Sequence, residues 1–176
     1  MDNENYILYI GVLSVMFVIS LYFLYWYKDR KMDRKERSLA EGVAKPSPDT
    51  LKLQLQAYER LVLLTERIAL PNLITRIPPG ELNMRQYQSA LIDQIKAEYE
   101  HNTTQQIYVS PAGWQAVQKL KEQNIFIIGK VAETLAPDAT GNELAQRIAA
   151  LLNADDNVSM HPMVLDALNY EAKRLL

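Results

Sequence analysis

Residues 51–68 read LKLQLQAYERLVLLTERI, and their spacing decides the fold class. Leu51, Leu55, Tyr58, Leu61, Val62, Thr65 and Ile68 recur at three- and four-residue steps, which gathers them on one face of an α-helix. Leu53, Leu63 and Leu64 widen that stripe, so the helix is expected to be covered on more than one side. Asp49 or Thr50 is placed to cap its first turn, and Pro71 is expected to stop it.

Working towards the C-terminus, the stretch NLITRIPPG (72–80) predicts an extended or turn segment, because Pro78-Pro79-Gly80 forbids helix continuation. A second helix is expected from about Met84 to His101, with Tyr87, Leu91, Ile95 and Tyr99 on its apolar face, Ile92 beside them and Asn102 as the stop. Gln105 to Val109 has some strand character, but one strand makes no sheet, and a connector packed on helices is the better reading. Ser110-Pro111 then opens a third helix, a cap followed by a first-turn proline. Trp114, Val117, Ile128, Val131 and Leu135 run along its seam, and Pro137 lies beyond its end. The β-branched patch Ile125 to Ile128, followed by Gly129, is the weak point of that helix.

Thr140 and Glu143 stand at capping-box spacing and open a helix to about Leu152, with Leu144, Ile148, Leu151 and Leu152 inward and Glu143 and Arg147 as an i,i+4 pair. Pro162 begins a last helix to about Arg174, its inner side formed by Val164 or Leu165, Leu168 and Ala172. The fold class is therefore mainly α, with a compact bundle of about five helices over residues 50–176.

Working towards the N-terminus, residues 38–49, with Gly42 and Pro46-Ser47-Pro48, lack apolar periodicity and read as a spacer, so that 28–49 forms a basic juxtamembrane segment and linker. Before it, residues 6–27 read YILYIGVLSVMFVISLYFLYWY without a charge. At about 1.5 Å per residue such a helix is about 33 Å long, close to the roughly 30 Å apolar core of a bilayer. Its twelve Leu, Ile, Val and Phe residues favour insertion by about 4 to 7 kcal/mol in all. Tyr6 and Tyr9 at one end and Tyr22, Tyr25, Trp26 and Tyr27 at the other suit the headgroup layers. Asp2 and Glu4 precede this core and bulky aromatics follow it, which is not the pattern of a cleaved signal peptide. Lys28, Arg30, Lys31, Arg34, Lys35 and Arg37 come directly after it and no Lys or Arg comes before, so residues 1–5 are expected outside and the helical domain in the cytoplasm.

The formal charge of −2 is unevenly spread: residues 38–176 hold thirteen basic and sixteen acidic groups without a cationic run. Nucleic-acid binding, which rests on clustered positive charge, is not expected. The absence of cysteine removes disulfides, thiolate nucleophiles and Cys-based zinc sites together.

Few residues suggest chemistry. Glu98 and His101 at i,i+3 share a helical face as in some di-metal bundles, but such a site needs a second motif of the kind, and none is present. A terminal-turn histidine favoured by the helix dipole is the plainer account. No Gly-rich phosphate loop or nucleophile elbow occurs, and no catalytic residue, metal or cofactor is expected. The partner-binding candidates are Arg76, between Ile74 and Ile77, and the polar, aromatic group Gln105, Gln106, Tyr108 and Trp114, against the alternative that Tyr108 and Trp114 plug the core.

At LQAYERLVLLTERI (55–68), Arg76 and EYEHNTTQQIYVSPAGW (98–114) the chain resembles an uncharacterised family of short Bacteroidota proteins that join an N-terminal membrane helix to a domain of unknown function. The resemblance implies a bacterial inner-membrane setting and transfers no catalytic residue. The expected function is a membrane-anchored cytoplasmic interaction or scaffold module, its partners the lipid bilayer and a protein. The alternatives are a small metal-dependent or hydrolytic enzyme using Glu98 and His101, and a homo-oligomer formed through the seam from Val117 to Leu135.

Overall fold

The computed structural model describes residues 47–154 and 158–176. The membrane helix expected over 6–27, its basic flank and the linker as far as residue 46 lie outside the described residues. Among the described residues, no helix is long and apolar enough to cross a membrane. They form a mainly α domain of six helices: α1 (Pro48–Ile68), α2 (Leu70–Arg76), α3 (Met84–His101), α4 (Pro111–Glu133), α5 (Gly141–Ala154) and α6 (His161–Lys173), with a 3₁₀ turn at Thr103–Ile107. Among these residues the sole β pairing is an isolated antiparallel bridge between Asn83 and Thr140.

Helix α1 starts earlier than its spacing implied. Ser47, not Asp49 or Thr50, is the cap: its Oγ accepts the Thr50 N–H at 3.2 Å, with Pro48 in the first turn where a missing N–H costs nothing. Tyr58, Leu61, Leu64, Thr65 and Ile68 are buried, as the stripe required, with Ala57 among them. Leu53 and Leu63 remain exposed, so the widened stripe is covered only at Leu64.

The segment expected to be extended or turned is instead helical from Leu70 to Arg76, which raises the helix count from about five to six. Ala69, at φ −55° and ψ 127°, breaks the chain direction, and Pro71 sits in the first turn of α2 rather than merely ending α1. Burial of Leu70 and Leu73 supports this short helix, which is too short to be stable alone. The corner leaves the last carbonyls of α1 without helical partners, and other groups take them. Ala69 N–H donates to Thr65 O, Asn72 Nδ2 to Glu66 O at 2.9 Å, Arg76 Nη2 to Arg67 O at 2.9 Å, and the wholly buried Asn124 Nδ2 to Ile68 O at 2.7 Å.

Helix α3 has the bounds its periodicity indicated, and Tyr87, Leu91 and Ile95 are buried with no exposure. Asn83 and Gln86 close a capping box at its start, and Thr140 with Glu143 close another at the start of α5. The two starts are stitched together, Met84 N–H donating to Ala139 O and Gly141 N–H to Leu82 O, each at 2.9 Å. A β-carbon on Gly141 would lie 2.9 Å from both Leu82 O and Tyr87 Cβ. Backbone cannot give way cheaply there, so Gly141→Ala is expected to destabilise the domain by about 2 kcal/mol in urea unfolding.

Ser110 caps α4, its Oγ accepting the Gly113 N–H at 2.8 Å. The helix runs unbroken through Ile125–Ile128, because Ile127 and Ile128 find core partners that outweigh their weak helical preference. A β-carbon on Gly129 would meet nothing within 4 Å. Gly129→Ala is therefore expected to raise stability by about 0.5–1 kcal/mol, seen as a higher denaturation midpoint at unchanged slope. Val117, Ile128 and Val131, the seam considered for an oligomer, are buried within the chain's own core.

The first and last helices lie antiparallel: Tyr58 of α1 meets Glu171 near the end of α6, and Glu66 faces His161 at its start at 3.5 Å. Val164 and Leu168 supply the buried side of α6. Helix α3 packs between α4 and α5.

Candidate functional site

Three helices bring charge together at one carboxylate. Glu98, on the last full turn of α3 and nearly buried, accepts on Oε1 from Arg67 Nη2 of α1 at 2.5 Å, Arg76 Nη1 of α2 at 3.0 Å and Gln94 Nε2 of its own helix at 2.9 Å. The hydrogen bond from Arg67 is the main reason its carboxyl falls from 4.5 to about 2; burial opposes this, and Arg76 and Gln94 reinforce it. The same pairing raises the Arg67 guanidinium. A carboxylate held ionised by two guanidinium groups is a poor proton donor or acceptor near neutral pH, since it lies far from the pKa such chemistry needs.

His101, the other half of the i,i+3 pair, is exposed at the end of α3. No group of three or more His, Asp or Glu side chains suited to a metal ion occurs among the described residues. Glu98, Arg67, His101 and Asn102 share the wall of a cavity of about 420 Å³ with Arg60, Leu63 and Leu64.

Directly after α3 the chain is pinned. Asn102 is buried and donates from Nδ2 to Glu98 O at 2.9 Å, and Gln105 is buried in the following 3₁₀ turn. Between these anchors and α4 the turn presents Gln106, Ile107 and Tyr108 to solvent, with Ile107 73% and Tyr108 37% exposed. The connector is thus helical and packed on α1, without strand structure. Trp114 lies in the core, its ring 5.1 Å from that of Tyr99.

The five partner-binding candidates therefore do not form one surface. Arg76 belongs to the ion cluster, Gln105 and Trp114 are buried, and Gln106 and Tyr108 face outward, so of the two proposed core plugs only Trp114 is one.

A second polar junction was not legible in the chain. Tyr58 OH and Ser110 Oγ both donate to Glu171 Oε2, at 2.7 and 2.6 Å, and Ser110 N–H donates to Tyr58 OH at 3.0 Å. Burial pushes the Tyr58 hydroxyl up from its ordinary value. The junction joins α1, α4 and α6, and the Ser110 hydroxyl is engaged by a carboxylate and a helix cap, which makes it structural rather than nucleophilic. Ser110 carried a visible cap signal, but nothing local connects it with Glu171, 61 residues away.

No curated protein and no solved structure matches the chain. A family model, described as a family of unknown function (DUF7935), matches residues 4–175, nearly the whole length, and the chain belongs to that family.

Proposed function

We propose that the chain is a membrane-anchored module of the bacterial inner membrane, its helical domain in the cytoplasm, that binds a protein partner through the turn Gln106–Tyr108. The observation that carries the reading is an exposed apolar side chain on an anchored turn. Ile107 stands in solvent on a turn that is anchored on its N-terminal side by the buried Asn102 and Gln105. A backbone anchored before binding loses less entropy on docking, and aromatic residues such as Tyr108, beside Ile107, are enriched among the anchors of protein interfaces. The uncharged segment 6–27 and the six cations that follow support the anchor and its orientation. Confinement to a membrane raises the effective concentration towards partners in the same plane.

The engagement of Glu98 by two arginines supports binding over catalysis, because the Glu98–His101 pair considered from the sequence is not assembled as one. A photo-crosslinking residue in place of Ile107, in the full chain in its native membrane, tests the reading. A discrete adduct is expected that disappears when Tyr108→Asp is added and that an anchor-only chain never forms. Recovery of the same neighbours by the anchor alone counts against it. Alkaline phosphatase, an enzyme active only on the periplasmic side, is expected to be inactive when fused after Leu176, and an active fusion contradicts the orientation.

A further inference from the structure

The ion cluster around Glu98 is unbalanced. One carboxylate answers Arg67 and Arg76 together, and all three donors it receives converge on Oε1. Arg60 lies on α1 seven residues before Arg67, two helical turns away on the same face, and lines the same cavity. Among the described residues no carboxylate other than that of Glu98 pairs with Arg67, and none pairs with Arg60 or His101. Of the residues lining the cavity of about 420 Å³, Arg60 and Arg67 outweigh Glu98 and leave a net charge of +1, with Arg76 paired to Glu98 from outside the lining. Concave surfaces with low-dielectric walls focus such a field, and Leu63 and Leu64 supply those walls.

Arg67 is also held ready. Glu98 fixes one end of the Arg67 guanidinium, and Arg76, fixed on Glu98 and on the Arg67 carbonyl, holds that carboxylate in place, so Arg67 is ordered before a ligand arrives. The N–H groups of Arg67 not used by Glu98, and the whole guanidinium of Arg60, remain to receive oxygen atoms in the planar fork that suits phosphate. The cluster makes chemical sense as a half-site whose missing component is an anion.

We propose that the cavity between α1 and the end of α3 binds a phosphate group, with Arg60 and Arg67 as its principal donors, His101 at its edge and Leu63 against any apolar part of the ligand. A soluble phosphate and the headgroup of an anionic lipid share this chemistry. The site is separate from the Ile107 turn and stands independently of the partner-binding reading.

The test uses the full chain in neutral detergent at constant ionic strength, so that general screening does not change during the titration. Inorganic phosphate is titrated and Arg side-chain N–H resonances are followed; a parallel titration adds phosphatidic acid to the micelles. A saturable shift with one site per chain is expected. Arg60→Gln, which leaves the Glu98 cluster untouched, is expected to weaken it by about tenfold or more, the loss of one charge-assisted contact. Lys173→Gln, on α6, is expected to leave it unchanged. Competition between phosphatidic acid and phosphate identifies a lipid headgroup as the source, and phosphate binding that phosphatidic acid does not disturb identifies a soluble one. Saturation by neither probe, or equal affinity in the Arg60→Gln chain, overturns the proposal.

Discussion

Asn124→Asp is expected to destabilise the domain by about 4 kcal/mol at neutral pH. Asn124 is wholly buried, and its Nδ2 donates to Ile68 O at 2.7 Å, one of the carbonyls freed where α1 turns into α2. The substitution keeps the shape and removes the donor. A carboxylate oxygen would then face a carbonyl oxygen, both acceptors, without water to separate them. The group folds only in its protonated form, so its pKa rises in the folded state from about 3.9 in the unfolded chain. The sign follows: relative to the parent chain, the variant's deficit is smallest below the unfolded value and grows as pH rises above it. Urea unfolding followed by helical circular dichroism from pH 4 to pH 8, roughly the span over which this linkage acts, checks it; a deficit independent of pH contradicts the role given to the Ile68 carbonyl.

Glu98→Ala is the second large effect, about 3 kcal/mol at neutral pH. Removing the carboxylate leaves Arg67 and Arg76 facing each other with no negative charge between them. Arg67 is nearly half exposed and can turn partly to water, which keeps the loss at the low end for a broken internal pair. The linkage here has the opposite sign. The folded carboxyl sits at about 2 against an ordinary 4.5, so its contribution, about 2 kcal/mol after allowance for solvent around the arginines, is present above the ordinary value and lost as pH falls from there towards the folded one. The parent chain should therefore lose stability through this acid range more steeply than Glu98→Gln. Equal slopes would mean that the cluster does not hold its charge as its geometry implies.

The parts of the fold legible in the sequence are those whose signals are local. Ser110-Pro111, Thr140 with Glu143, and the spacing from Met84 to His101 each act within a few residues, and each marks an element that forms. Asn83 and Gln86 stand at the same capping spacing and were equally readable. Pro71 shows where local reading fails. A proline suits the first turn of a helix as well as the end of one, and the choice is made by the burial of Leu70 and Leu73 and by Asn124, 56 residues from the carbonyl it serves.

The candidate site was less legible for the same reason. Glu98 stood out through His101, three residues on, whereas its partners come from 31 and 22 residues upstream. Arg76 drew attention without its reason, which is an ion pair shared with Arg67. Gln105 looked like a surface contact, and Trp114 read either as a contact or as the core plug that it is, because composition does not tell which side of a turn meets a neighbouring helix; the 3₁₀ geometry sends Gln105 inward and leaves Ile107 outside.

The antiparallel pairing of α1 with α6 makes the beginning and end of the domain mutual partners. During synthesis the face of α1 that carries Tyr58 emerges long before α6, and it waits for that partner until α6 has been made. Closure joins residues more than a hundred positions apart, 113 in the case of Tyr58 and Glu171, a long loop to form and a slow step relative to neighbouring helices docking. A nascent chain stalled before Pro162 would therefore offer part of its apolar side to chaperones and proteases, and emergence of α6 would be the event that hides it.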